Sequence, residues 1–355
     1  MFSKIRPFIF KLDPELAHDL AIKALKTNLI VNDKKKNELT LRSQLFGKEI
    51  PNPIGIAAGF DKNAEVYNKV IDLGFGFIEI GTVTPKPQFG NKKPRVFRLE
   101  KENGIINSLG FNNYGFKKVI KNLKVKKSGD IIGINIGANK NSDYFIDDYI
   151  EGIKFFSNCA SYITINISSP NTPGLRDLHL ENNLRNLLDR IKTLKESNEI
   201  NEIPLLIKIS PDVESDDLNI MCRIFNEYCV EGIIISNTTL KRPFEGYGEK
   251  LDGGLSGKPL YEISTLQLKK VYELTNGKIP LIGVGGISSG RDAYNKLRNG
   301  ASLVQLYTGI VYHGPGLIKK INKEICMLLK NDGFDNIVDI IGIDTEIKSE
   351  IKDSA

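Results

Sequence analysis

Unbroken runs of aliphatic and β-branched residues recur at eight places along the chain: residues 54–58, 77–81, 131–136, 162–167, 205–209, 232–235, 281–284 and 302–306. Their apolar positions are continuous rather than alternating, as in strands buried on both faces. Segments of helical period lie between them. Phe145, Ile146, Tyr149, Ile150, Ile153 and Phe156 form one stripe, and Leu184, Leu187, Leu188, Ile191 and Leu194 another. Leu260, Ile263, Leu266 and Val271 form a third. Eight strands alternating with helices predict an α/β fold of the (β/α)8 TIM-barrel type, with an open doubly wound sheet as the rival.

Two stretches exceed what a strand-to-helix crossover needs. Residues 85–112 carry two early prolines and a possible hairpin, and a long insertion above a barrel mouth is usually functional. "RPFEGYGEKLDGGLSGKP", after the sixth strand, is a similar elaboration. The first forty residues stand outside the alternation. Phe2, Ile5, Ile9 and Leu12 share a helical stripe. Asp13 is a good N-cap and Pro14 a good first residue for a second helix, with Leu16, Leu20, Ala21, Ala24 and Leu25 on one face. Lys4, Arg6, Lys11, Lys23 and Lys26 surround these stripes, which suits an anionic bilayer surface. The plainer alternative is a pair of helices capping the bottom of the barrel. The expected division is 1–40 as a helical extension, 41–335 as the barrel and 336–355 as a C-terminal tail.

Composition narrows the partners. The 355 residues are 41% hydrophobic, enough for a sizeable core, and carry a net charge of +6. That mild excess fits an anionic ligand or surface and decides nothing alone. Much of it lies in lysine runs at 34–36 and 124–127 that read as solvated faces. Cys159, Cys222, Cys229 and Cys326 form no C-x-x-C pair and read as buried thiols in a reducing compartment. No apolar run reaches eighteen residues, and the N-terminus lacks a signal-peptide pattern. A cytoplasmic location follows as an expectation.

In a (β/α)8 barrel, chemistry sits at the C-terminal ends of the strands. Here those ends turn polar or glycine-rich. The first gives Asp61 and Lys62; the second Thr82; the third Asn135; the fourth Asn166, Ser168, Ser169 and Asn171. The fifth gives Lys208, and the sixth Ser236, Asn237 and Thr238. An unpaired ammonium in a core strand is costly, so Lys208 implies an anionic ligand or, alternatively, a salt bridge to a barrel carboxylate. Gly285 and Gly286 in "GVGGISSG" let backbone N–H groups approach a phosphate, with Gly309 and a helix starting near Pro315 as further donors. The alternative is a tight turn. Asn107, Asn166, Asn171 and Asn237 both donate and accept, which suits a planar ring bearing C=O and N–H groups. No metal-type cluster of Asp, Glu or His appears at these ends, so no metal is expected. Ser168 and Ser169 are both candidate hydroxyls, and spacing alone does not choose between them. Either can simply cap a nearby N–H.

"IGIAAGFDKNAE", "IEIGTVTPKPQFGNKKPRVFRL", "INSLGFNN", "GINIG", "INISSPNTPGLRDL", "IKISPD", "SNTTL", "GGLSGKPL", "IGVGGISSG" and "LVQLYTG" follow one another in this order. Together they resemble the motif set of the dihydroorotate dehydrogenase family, in particular its membrane-associated, quinone-dependent class (class 2). The resemblance runs from about Arg6 to about Ile321. It implies oxidation of dihydroorotate to orotate in pyrimidine biosynthesis, with a non-covalent FMN and a membrane quinone as acceptor. By motif, Ala58, Gly59, Lys62, Thr82, Asn135, Asn166, Lys208, Ser236, Gly257, Gly286, Tyr307 and Thr308 match flavin contacts. Lys62, Asn107, Ser108, Leu109, Gly110, Phe111, Asn166, Asn171, Asn237 and Thr238 match substrate contacts.

Ser169 matches the catalytic base, where the family's soluble class has Cys. Ser236 stands where many relatives carry Thr. The resemblance turns the N-terminal helices into a quinone funnel, with His18, Arg98 and Tyr307 near the quinone head. His179 and His313 have no assigned role and are expected at the surface. A peripheral protein on the cytoplasmic face of a bacterial membrane is implied, monomeric or weakly oligomeric and without nucleic acid. The alternatives are a soluble enzyme using fumarate, NAD or an iron–sulfur partner, an RNA-modifying dihydrouridine synthase, or a barrel that binds ligand without redox chemistry. The second of these requires a catalytic Cys and a basic RNA-binding domain, and neither is visible.

Overall fold

The computed structural model describes residues 2–27, 38–123 and 129–347; the lysine runs at 34–36 and 124–127 and the end of the expected tail lie outside them. Helices α1 (Phe2–Ile9) and α2 (Pro14–Lys26) come first, followed by the hairpin β1 (Ser43–Leu45) and β2 (Lys48–Ile50). The alternation then runs β3 (Ile54–Ile56), α3 (Tyr67–Asp72), β4 (Phe77–Val83), β5 (Val96–Leu99), β6 (Gly104–Asn107), α4 (Phe116–Asn122), β7 (Ile132–Ile136) and α5 (Phe145–Phe156). It continues with β8 (Tyr162–Asn166), α6 (Glu181–Glu196), β9 (Leu205–Ile209), α7 (Ser215–Glu227), β10 (Gly232–Ile235), β11 (Gly254–Gly257) and α8 (Tyr261–Leu274). Last come β12 (Leu281–Val284), α9 (Gly290–Arg298), β13 (Ala301–Leu306), α10 (Thr308–His313) and α11 (Leu317–Asn331).

Eight of these strands close a parallel barrel in the order β3-β4-β7-β8-β9-β10-β12-β13. They fall on the eight apolar runs, with ends shifted by at most two residues. The continuous hydrophobicity conceals a two-residue period, because the two faces meet different apolar surroundings. Outward side chains such as Ile78, Ile163, Ile207 and Ile233 join the large cluster under the helices. Inward ones, including Phe77, Tyr162, Leu206, Ile234, Ile282 and Leu303, form a separate plug inside the barrel, against which Leu45 and Phe46 of the β1–β2 hairpin pack. Gly55 leaves room for this plug: a Cβ there would sit 2.4 Å from the Phe77 ring.

Above the plug the inward positions turn polar. Glu79, fully buried in β4, accepts hydrogen bonds from Asn135 Nδ2 (2.7 Å), Tyr162 OH (3.1 Å), Thr164 Oγ1 (3.1 Å) and Gln305 Nε2 (3.0 Å). Four donors satisfy a carboxylate that would otherwise be costly to bury. Lys208 lies on the next tier. It makes no ion pair among the described residues, so the alternative of a salt bridge to a barrel carboxylate is not realised, and Glu79 reaches it only through its field.

The two elaborations pair with each other. β5 and β6 form the expected hairpin, and β11 joins its other edge, giving an antiparallel sheet in the order β11-β6-β5 around Leu99, Ile106 and Leu255. α1 and α2 lie beside this sheet at the mouth of the barrel, not at its bottom. Arg98 of β5 donates to the Phe10 and Leu12 carbonyls (3.2 and 2.9 Å), and Arg6 donates to the Tyr312 carbonyl (3.2 Å). Asp13 Oδ1 caps α2 by accepting from the N–H groups of Glu15 and Leu16, as its position predicts. Part of the expected tail packs on the barrel. Ile337 and Ile340 are buried, and Arg298 pairs with Asp344 at 2.6 Å.

Two expectations are corrected here. Of the four cysteines only Cys222 is buried; Cys159 and Cys326 are intermediate and Cys229 is exposed. Cys229 occupies a left-handed position (φ 51°) just past α7, where the chain reverses at the surface. His179 is not a surface residue either. It is partly buried in the turn after Gly174, and burial pushes its imidazole down to about 4. His313 is exposed as expected.

Candidate active site

A cavity of about 550 Å³ opens at the C-terminal ends of the barrel strands and runs outward between α1, α2 and the β5–β6 hairpin. Its inner part is polar. The loop after β3 delivers Ala58, Gly59 and Lys62. Asp61 shapes that loop: its carboxylate accepts from the N–H groups of Glu65 (2.7 Å) and Val66 (2.8 Å), and burial pushes it up to about 6. The turn aims the Lys62 ammonium into the cavity. Burial pushes Lys62 down to about 8, against the opposing pull of Glu15. Lys208 is also held below its ordinary value by burial, with Glu79 pulling the other way. Two ammonium groups therefore face one chamber with little local compensation, and an anionic occupant would relieve both.

The wall between them is built from amides and hydroxyls. Thr82 Oγ1 donates to Asn135 Oδ1 (2.5 Å), and Asn166 Nδ2 donates to Thr82 Oγ1 (3.0 Å) and Asn135 Oδ1 (3.1 Å). Asn171 Nδ2 reaches the Asn107 carbonyl (3.2 Å), and the Asn237 side chain accepts from the Thr238 N–H (2.7 Å). The two serines separate clearly. Ser168 is fully buried; its Oγ donates to Asn166 Oδ1 (2.8 Å) and accepts from Asn237 Nδ2 (2.9 Å), so its hydrogen bonds are spent inside the protein. Ser169 lines the cavity, and among the described residues its Oγ accepts only a 3.3 Å bond from the Asn171 N–H. The capping role weighed for the hydroxyl is therefore present, and it leaves the Ser169 proton available to a ligand.

At one side of the chamber Gly257, Gly285, Gly286 and Thr308 line the wall. Gly286 has φ 77°, and any Cβ there would meet the Tyr261 backbone N at 2.7 Å, so only glycine fits this turn. The outer part of the cavity is apolar. Ala17, Leu20, Ala21, Ala24 and Leu25 of α2 line it with Phe2 and Ile9 of α1. At the junction His18, Phe60 and Tyr307 stack edge to face, with ring centroids 5.6 to 6.3 Å apart, and Tyr307 OH lies 3.4 Å from His18 Nδ1. Burial pushes His18 down to about 4, so the ring is neutral near pH 7. Arg98 lines the same end, 4.8 Å from the Phe10 ring centre.

Nearly all the residues expected at the site share this cavity. Two do not line it. Asn135 is fully buried one tier down, with its amide committed to Glu79, Thr82 and Asn166. Ser108 is tied into the hairpin loop through its backbone, donating to the Arg95 carbonyl (2.8 Å) and accepting from Asn91 Nδ2 (2.9 Å). Three contributors were not anticipated. Glu79 carried the signal that singled out Lys208, a charge inside an apolar strand. Arg95 and Glu15 carried none, being eighty positions apart.

Comparison with known proteins gives concordant matches. The family model described as dihydroorotate dehydrogenase matches residues 40–329. A dihydroorotate dehydrogenase (quinone) of Parvibaculum lavamentivorans is 45% identical, covering 98% of this chain and 99% of its own. The mitochondrial dihydroorotate dehydrogenase (quinone) of Oryza sativa is 42% identical over 96% of this chain and 79% of its own. Among solved structures, the dihydroorotate dehydrogenase of Eimeria tenella in complex with ferulenol superposes with a TM-score of 0.88 at 36% identity, covering 94% of this chain and 96% of that one.

Proposed function

The chain belongs to the dihydroorotate dehydrogenase family, and from that premise we propose that it oxidises dihydroorotate to orotate, with FMN as hydride acceptor and a membrane quinone as final acceptor, in pyrimidine biosynthesis. One observation carries the reading: a single cavity joins a polar chamber holding Ser169, Lys62 and Lys208 to an apolar channel walled by α1 and α2. The fumarate- or NAD-linked alternative is not favoured, since the relatives described above are quinone enzymes.

The donor set fits an anionic flavin. Lys208 offers a buried ammonium without a carboxylate partner, and Thr82, Asn166 and Ser236 offer hydroxyl and amide groups beside it. Ala58 and Gly59 would support the ring, and Gly257, Gly286, Tyr307 and Thr308 the phosphate end. The flavin, when bound, supplies a two-electron acceptor beside the substrate. Asn135 would act from beneath, by orienting Thr82 and Asn166.

On the substrate, Lys62 pairs with the carboxylate, and Asn107, Asn171, Asn237 and Thr238 hold the ring's amide and carbonyl groups, with Asn166 at their base. Leu109, Gly110 and Phe111 close the chamber from the hairpin side, with Ser108 holding their loop. Ser169 Oγ would take the proton from the carbon next to the ring carbonyl as its own hydroxyl proton passes on to a water or hydroxyl relay reaching the cavity. A serine is a weak base, so hydrogen-bond donors at that carbonyl must draw off the developing charge, and the asparagine amides are suited to it.

His18, Arg98 and Tyr307 stand where a quinone head arriving through the apolar channel would meet the chamber. Ile5, Phe8 and Leu16 are exposed on α1 and α2, as are Leu12 and Leu20, which also line the channel, with Lys4, Lys11 and Lys23 exposed beside them. That arrangement supports peripheral binding to an anionic bilayer, on the cytoplasmic side of a bacterial membrane. No helix among the described residues is long and apolar enough to cross one.

The test is spectroscopic. The purified protein should absorb as a flavoprotein, bleach with dihydroorotate under anaerobic conditions and recover its absorbance with a short-chain ubiquinone. A preparation that binds flavin yet keeps its absorbance with dihydroorotate rules the reading out.

A further inference from the structure

Lys296 of α9 is fully buried, and the chemistry above makes no use of it. Its Nζ donates to Ser264 Oγ and Thr265 Oγ1 of α8, each at 2.8 Å, and lies 5.1 Å from the centre of the Tyr261 ring. Asp292 and Glu262 act on it through their fields, and neither forms an ion pair with it among the described residues. Asp292 Oδ2 is already engaged by the N–H and hydroxyl of Ser288. A buried ammonium whose hydrogen bonds, among the described residues, go to hydroxyls alone is unusual unless an anion lies near.

Its contacts lead to the cavity wall. An ammonium has donors only, so Ser264 Oγ must accept from it, and the single hydroxyl proton is directed elsewhere. That proton faces the Tyr261 carbonyl (3.0 Å) and the Gly285 carbonyl (3.3 Å). The Gly285 carbonyl and the Gly286 N–H belong to one trans peptide, so they point in opposite directions. Drawing the carbonyl down onto Ser264 turns the Gly286 N–H away from α8. Gly285 and Gly286 both line the chamber, and among the described residues no backbone acceptor takes up the Gly286 N–H.

We propose that Lys296 is a positioning residue for the anion-binding peptide 285–286: acting through Ser264, it aims the Gly286 N–H at the phosphate of the flavin and places positive charge behind it. The proposal rests on the flavin reading above and extends it to a residue outside the cavity.

The experiment uses the full-length chain loaded with either FMN or riboflavin, which differ only in the phosphate, and follows flavin release on dilution by its fluorescence. Lys296→Met should weaken FMN binding at least tenfold, equivalent to about 1.4 kcal/mol, and leave riboflavin binding within twofold. Ser264→Ala removes the relay while keeping the cation, and should produce the same selective loss; it carries the test if Lys296→Met does not fold. Equal losses for the two flavins, or no loss for either, would overturn the proposal. A wild-type protein that binds neither flavin would instead refute the flavin reading itself.

Discussion

Glu15 of α2 accepts hydrogen bonds from Nε and Nη2 of Arg95, at 3.1 and 2.8 Å, while Arg95 Nη1 holds the carbonyls of Phe89 and Asn91 at 2.7 Å each. Asn91 in turn donates to the Ser108 carbonyl, so one ion pair links the acceptor-side helix to the loop that carries Leu109, Gly110 and Phe111. Burial alone would push the Glu15 carboxyl up; Arg95, with Lys93 and Lys62, outweighs it and holds the group below its ordinary value. The pair's contribution is thus present above the unfolded carboxylate range and lost as pH falls through the lowered value. Glu15→Gln should weaken orotate binding about fivefold, or ~1 kcal/mol, and blunt the acid side of the stability profile. Unchanged orotate titrations would show that helix and loop are independent.

The serine pair offers a direct contrast. Ser169→Ala should slow anaerobic flavin reduction by dihydroorotate about 10²- to 10⁴-fold, the usual worth of a positioned acid–base group, with flavin retained. Ser168→Ala opens a hole in the Asn166–Asn237 network and should cost stability, ~1–3 kcal/mol for the unpaired amide. Stopped-flow reduction and thermal unfolding separate the two effects.

Lys62 should set an alkaline limit on ligand binding. Its ammonium is pushed down to about 8, and losing the proton would remove the positive charge proposed above to meet the orotate carboxylate. Orotate affinity should therefore be full below about pH 8 and fall above it. Lys62→Arg, which stays protonated, should abolish that fall even if its absolute affinity is lower. A profile for Lys62→Arg that falls as in wild type would assign the titration to another group.

Removing residues 1–27 takes away α1 and α2 and with them the apolar wall of the channel. Turnover with a long-tailed quinone in liposomes should collapse, while oxidation of dihydroorotate with a water-soluble dye falls less. Some loss with the dye is expected because Glu15 leaves with α2. Equal loss in both assays would mean that the helices serve only to stabilise the fold.

Most of the barrel was legible because strands buried on both faces leave uninterrupted apolar runs, and a lysine within such a run marks itself. Depth was not legible. Asn135 and Asn166 look equivalent in sequence, yet Asn135 sits one tier lower, and that tier depends on the stagger between neighbouring strands. Glu79 escaped notice although its position in "FIEIGTV" carried the same warning as Lys208. The choice between Ser168 and Ser169 was hidden because the chain turns just past Asn166, where strand alternation ceases to report direction. Arg95 and Glu15 meet only because the hairpin folds back against α2, a relation between distant segments that no local pattern records.

The unbroken lining from Leu20 and Ala24 to Ser169 also bears on the design of inhibitors. A hydrophobic tail seated along α2 and an acidic head paired with Lys62 need not be separate molecules. One tethered compound could occupy both proposed places, and its potency would reflect the linker's fit past the aromatic cluster of His18, Phe60 and Tyr307.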